Sequence, residues 1–179
     1  MPDDPRIAEW RGLGATIGDA VFLGPDVFVE TYFAPLLTIE DGVVLARGVS
    51  IILHDSALNN VLGEPVKFGR VTLRRECYVG ANATILCGVE VGERAAIGAG
   101  SLVTADVPAG AVAYGHPARV HGTVAELAAK HRALRTTTDR FHYLDVAPWR
   151  EHRDGEAAAQ ADARITDFVA AVPESKRRT

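Results

Sequence analysis

Cysteine is scarce. Cys77 and Cys87 are the only two, too few for a disulfide framework and at a spacing that fits no zinc motif. Aromatic residues make up only 7% of the chain, so any core has to be built from small aliphatics, which the 47% hydrophobic content supplies. Basic charge is not in excess. Nineteen Lys and Arg stand against 23 Asp and Glu, a formal net charge of −4, which argues against a general nucleic-acid binder. The one basic run, "SKRRT" at the C-terminal end, reads as a solvated tail. No uninterrupted apolar run approaches the ~20 residues of a membrane span. The opening "MPDDPRIAEW" has no apolar stretch of the kind a secretory signal needs. The 179 residues are enough for one domain with appendages, expected to be soluble and cytoplasmic.

What the chain does have is a beat of six. From Leu73, steps of six meet Val79, Ile85, Val91, Ile97 and Val103, all aliphatic. Four residues after the first five stand Cys77, Ala83, Val89, Ala95 and Ser101, all small or β-branched. The register appears twice more upstream. Ile17, Leu23 and Val29 have partners Val21 and Val27; Ile39, Leu45 and Ile51 have partners Val43 and Val49. Two interruptions separate the runs: "ETYFAPLL" and the stretch from His54 to about Thr72. A helix repeats every 3.6 residues and a half-buried strand every two. Six fits neither. It fits short strands meeting at corners, with one aliphatic per six pointing inward, a small residue beside it, and Gly or Asn at the tight corner. Three such strands make a triangular coil, and stacked coils bury columns of aliphatics behind parallel ladders.

With this repeat, and above all in "VGANATILCGVEVGERAAIGAGSLVTADVPAGAVAYGHPARV", the chain resembles the hexapeptide-repeat acyltransferases. The block "HDSALNNVLGEPVKFGRVTL" is similar to one found in acetyltransferases of capsule, exopolysaccharide and nucleotide-sugar pathways. The resemblance covers roughly residues 15–121. It implies an all-β fold, a left-handed parallel β-helix; the hand comes from the resemblance and not from the spacing. It also implies acetyl-CoA as co-substrate, a homotrimer with active sites between subunits, and a sugar or nucleotide-linked sugar as acceptor. No metal is expected. The organisation expected is an N-terminal helical segment over 1–14, the β-helix over 15–121 with a loop near 54–72, and a C-terminal helical extension over 122–179. In that extension "GTVAELAAKHRAL" has helical spacing with Thr123 as N-cap. "RFHYLDVAPW" reads as an aromatic connector and "GEAAAQADARITDFVAAV" as a second helix.

The chemistry is expected at His54, three residues after Ile51. That position belongs near a corner, facing outward, at the root of a projecting loop. Transfer from a thioester to a hydroxyl needs a base beside the nucleophile, and histidine suits that work near neutral pH. The resemblance also places its catalytic histidine here. Asp55 has two readings: it orients the imidazole, or it starts a turn. A more distant acid or a backbone carbonyl is the other candidate for the orienting role. Asn59 and Asn60 offer donors and acceptors for sugar hydroxyls, or belong to an ordinary polar turn.

For the donor, the resemblance places contacts at Tyr78, Ala81, Ala99, Thr104 and Arg119, the last as a partner for CoA phosphates. Tyr78 stands where many relatives have Trp, His116 where they have Asn, and Ala105 where they have Lys. Two other readings come from different classes. One is a non-catalytic β-helix scaffold or regulatory subunit. The other is a γ-class zinc hydratase, which needs three converging ligands, whereas no histidine lies between Pro65 and Gly115.

Overall fold

The computed structural model describes residues 4–137 and 166–167. The aromatic connector, His142, His152, the basic tail and all of the second expected helix except Thr166 and Asp167 lie outside the described residues. Asp3–Ala128 forms one compact unit.

The beat folds as short strands on three faces. Face A carries Thr16–Ile17, Leu37–Ile39, Val71–Leu73 and Glu90–Val91. Face B carries Phe22–Leu23, Val44–Leu45, Tyr78–Val79, Ala96–Ile97, Ala111–Gly115 and Ala118–Thr123. Face C carries Phe28–Val29, Ser50–Ile51, Thr84–Ile85 and Leu102–Val103. Apart from Ala118–Thr123, neighbours on each face are parallel. The chain therefore visits A, B and C in turn and stacks its coils in register.

Three columns of side chains result. Ile17, Ile39, Leu73 and Val91 align on face A. Leu23, Leu45, Val79, Ile97 and Ala113 align on face B, and Val29, Ile51, Ile85 and Val103 on face C. All are buried, as are the small partners from Val21 to Ser101. Each fully buried Val, Leu or Ile contributes about 1.5–3 kcal/mol, so the columns are the main source of stability. Ser101 is the one buried polar side chain among the described residues. Its Oγ donates to the Gly98 carbonyl at 2.7 Å and accepts the Gly115 N–H at 3.3 Å.

The glycines fall into two sets. Those directly after an inward aliphatic, such as Gly80, are not in the left-handed region. They are needed because the next coil lies against them: a Cβ at Gly80 would stand 2.5 Å from the Ala99 nitrogen. The left-handed corner falls two residues later, three after the aliphatic. It is filled by Gly42, Gly48, Gly88, Gly100 and Gly110, and also by Ala20, Asp26, Glu76, Asn82 and Arg94 at φ of 54–59°. Non-glycine residues pay about 1–2 kcal/mol there, which the inter-coil ladder offsets. At Asn82 that ladder bond runs from its N–H to the Arg47 carbonyl at 2.9 Å.

The first coil of the stack is covered. Helix α1, Pro5–Gly12, starts at an N-cap, Asp4, whose carboxylate accepts the Arg6 N–H, and buries Ile7 and Trp10. The exposed carbonyls of the first coil are met by guanidinium groups: Arg6 on Gly24 at 3.0 Å and Arg11 on Ile17 at 2.9 Å. An open edge is thereby closed to further strand pairing. At the other end Ala118–Thr123 turns back antiparallel on Ala111–Gly115. A capping box follows: Thr123 and Glu126 bond reciprocally at the start of helix α3, Val124–Thr137. Among the described residues no helix is long and apolar enough to cross a membrane.

Candidate active site

Both interruptions in the beat leave from the end of face C on successive coils, one after Val29 and the other after Ile51. They therefore meet in space. The first contributes Glu30 and Phe33, the latter in the 3₁₀ segment Thr31–Leu36. The second contributes His54 and Phe68, opposite each other across the antiparallel pair His54–Asp55 and Lys67–Phe68. This pair is the neck of a projecting loop whose tip is helix α2, Ala57–Leu62.

His54 sits at that neck as the sequence predicts. Its Nδ1 lies 2.8 Å from Glu30 Oε2. The same oxygen accepts the N–H of Leu53 at 2.6 Å and of His54 at 3.1 Å. An oxygen already accepting two N–H groups is an acceptor for the third, so Nδ1 donates to it, and in the neutral imidazole the lone pair is on Nε2. Phe33 packs tilted on the imidazole at 4.9 Å, and Phe68 stacks beside it at 6.1 Å. The His54 side chain is 29% exposed and that of Glu30 only 16%. The ring is thus held by Glu30 and the two phenyl rings and stays partly exposed.

Asp55 does not touch the imidazole. Its Oδ1 accepts the Ala57 N–H at 3.0 Å and its Oδ2 pairs with Lys67 at 3.0 Å. The turn reading is therefore the one its bonds support, and Glu30 holds the orienting position. The Ala57 N–H and then Lys67 keep the Asp55 carboxyl below its ordinary range. Asn59 and Asn60 lie on α2, where a polar turn was the other expectation. Asn59 Nδ2 donates to the Glu64 carbonyl at 2.8 Å and Asn60 Nδ2 to the Ser56 carbonyl at 2.9 Å. Both amides brace the loop and stay exposed.

The expected donor residues form a second group. Tyr78 is 46% exposed on face B. Ala81 and Ala99 stack at the corner between faces B and C, where the Gly100 N–H donates to the Ala81 carbonyl at 2.8 Å. Thr104 follows face C and is exposed. Arg119 stands opposite Tyr114 in the terminal antiparallel pair, and Tyr114 stacks on His121 at 3.8 Å. No hydrogen bond, ion pair or ring contact joins this group to His54 within the chain among the described residues. His116 precedes Pro117 through a cis peptide bond. Among the described residues no three His, Cys, Asp or Glu side chains converge as a metal ion requires. Burial pushes the Cys77 thiol up to about 12, as befits a core residue.

Glu30 is the residue the sequence reading missed. The available signal was positional: Gly18 and Gly24 follow the first two aliphatics of their run, and a glutamate follows the third.

Residues 70–105 match the family "Bacterial transferase hexapeptide (six repeats)". The chain is 40% identical over 86 residues to the dTDP-3-amino-3,6-dideoxy-alpha-D-galactopyranose 3-N-acetyltransferase of Aneurinibacillus thermoaerophilus, covering 45% of each chain. It is 30% identical to the galactoside O-acetyltransferase of Escherichia coli, over 59% of this chain and 62% of that one. It therefore spans roughly half to three-fifths of the length of these relatives. In fold it is similar to the crystal structure of a hexapeptide-repeat acetyltransferase of Vibrio cholerae complexed with acetyl coenzyme A. The TM-score is 0.54 at 21% identity, over 67% of this chain and 76% of that one. Repeat, stacked coils and relatives agree: the chain carries the hexapeptide repeat of the bacterial transferases and is similar to acetyltransferases built on it.

Proposed function

We propose that the chain transfers an acetyl group from acetyl-CoA to a hydroxyl or amino group of a sugar or nucleotide-linked sugar, with His54 as general base. The observation that carries this is the contact between His54 Nδ1 and Glu30 Oε2 at 2.8 Å, made by a side chain that is 29% exposed. The acceptor O–H or N–H gives its proton to Nε2 as its oxygen or nitrogen attacks the thioester carbonyl. The tetrahedral intermediate then loses the thiolate, which takes the proton back from the imidazolium. Glu30 is a positioning residue: it fixes the tautomer and stabilises the imidazolium while it lasts.

Acetyl-CoA is proposed to lie along the flat side of a left-handed coil stack, past Tyr78, Ala81, Ala99 and Thr104, with its phosphates toward Arg119. The small corner residues let a pantetheine arm approach the backbone. The reading includes a homotrimer, as the resemblance implies, in which His54 of one subunit faces the donor groove of the next. Symmetric assembly then supplies the proximity of donor and base.

Calorimetric titration with acetyl-CoA tests this directly. One site per chain is expected, in wild type and in His54→Ala alike, with the variant losing about 10²- to 10⁴-fold in turnover. Absence of binding at millimolar acetyl-CoA would remove the transferase reading. Sedimentation equilibrium is expected to give three times the 19.1 kDa chain mass.

A further inference from the structure

We infer that Phe33 and Phe68 form an aromatic platform that takes the apolar C–H face of a pyranose acceptor in preference to a free amino acid. This rests on the acetyl-transfer reading above and goes further by naming what selects the acceptor. The two rings pack edge-to-face at 5.0 Å, and both lie against the His54 imidazole. Phe33 is anchored, packed on the core, whereas Phe68 is 51% exposed. An exposed phenyl ring held by a packed one, beside the base, is a surface with a flat apolar face and no hydrogen-bonding demand. A pyranose presents axial C–H groups to such a face while its equatorial hydroxyls point outward, one of them toward Nε2.

The charges at the neck do not select: Glu30 and Asp55 are matched by Lys67, paired with Asp55 at 3.0 Å, and by Arg70, whose bond to the neutral Pro35 carbonyl at 3.3 Å leaves its charge uncompensated. Selection therefore rests on the platform, since a pyranose has an apolar C–H face to lay on it and a free amino acid such as L-serine has none.

The test uses the full chain with acetyl-CoA and three probes: methyl β-D-galactopyranoside, D-galactosamine and L-serine. Turnover is read as free thiol released. Wild type is expected to accept at least one of the two sugars in preference to L-serine. Phe68→Ala is expected to raise KM for that sugar about tenfold with kcat and acetyl-CoA affinity unchanged, because the platform binds substrate and transition state alike. Phe68→Tyr keeps the flat face and is expected to keep KM. A loss of kcat in Phe68→Ala, with KM unchanged, would assign Phe68 to holding His54 and overturn the platform. Acetyl-CoA binding with neither sugar accepted, or with L-serine preferred, overturns the platform and leaves the transfer reading standing. Failure of acetyl-CoA to bind overturns both.

Discussion

Glu30→Gln probes the least obvious part of the site. The substitution keeps size and an acceptor oxygen, so the N–H groups of Leu53 and His54 can still be met. What changes is the bond to Nδ1. A hydrogen bond to a charged group contributes about 1.5–3 kcal/mol, against about 0.5–1.5 kcal/mol for a neutral one. The charge matters most when His54 holds the transferred proton, so the difference falls mainly on the transition state. With the Glu30 side chain 16% exposed and that of His54 29% exposed, solvent screens part of it, and about 1–1.5 kcal/mol remains. That converts to about a tenfold fall in kcat, with acetyl-CoA affinity unchanged. Glu30→Ala goes further. It leaves the N–H of fully buried Leu53 without an acceptor, at about 1–3 kcal/mol, and the melting temperature is expected to fall by about 5 °C. Acetyl-CoA turnover, calorimetry and thermal unfolding on both variants separate the two effects. A Glu30→Gln enzyme within twofold of wild-type kcat, beside an inactive His54→Ala, would refute the positioning role.

The coil itself makes further predictions. Gly80→Ala places a methyl group against the Ala99 backbone and is expected to cost about 1–3 kcal/mol by thermal unfolding, since two backbones cannot move apart locally. Asn82→Gly, at φ 57°, is expected to hold or slightly raise the melting temperature, because glycine adopts that conformation without strain. Ile85→Ala opens a cavity in the face C column, where Ile85 is 0% exposed, and is expected to cost about 2–5 kcal/mol in chemical denaturation. The Asp55 carboxylate, held by the Ala57 N–H and then by Lys67, gives a pH dependence. Asp55 has a depressed folded-state pKa, so its contribution is present above the unfolded value, about 3.9. It is lost as pH falls through the folded value. Amide exchange in Ser56–Val66 is expected to speed up in that acid range, and Asp55→Asn is expected to remove the pH dependence.

The fold was legible because a coil repeats its demands. Each turn needs an inward aliphatic and a small partner in the same places, so Leu73 through Val103 announce themselves by spacing alone. The glycines were half legible: Gly or Asn at the corner follows from the spacing, as at Gly48 and Asn82, whereas the close approach of the next coil at Gly80 does not. His54 was legible as the point where the beat breaks. Glu30 was not, because its carboxylate meets His54 across 24 positions through the stacking of successive coils. Yet the two interruptions begin at equivalent places, after Val29 and after Ile51, and any object built of stacked coils brings equivalent places together. Breaks in a repeat that share a phase therefore mark one site rather than two loops. Phe33 and Phe68, each inside its own break, follow from the same reasoning. The proposed donor residues do not, since Ala81 and Ala99 satisfy the coil whether or not a ligand lies beside them. A repeat thus hides function wherever function and folding ask for the same residue, and shows it where the repeat gives way.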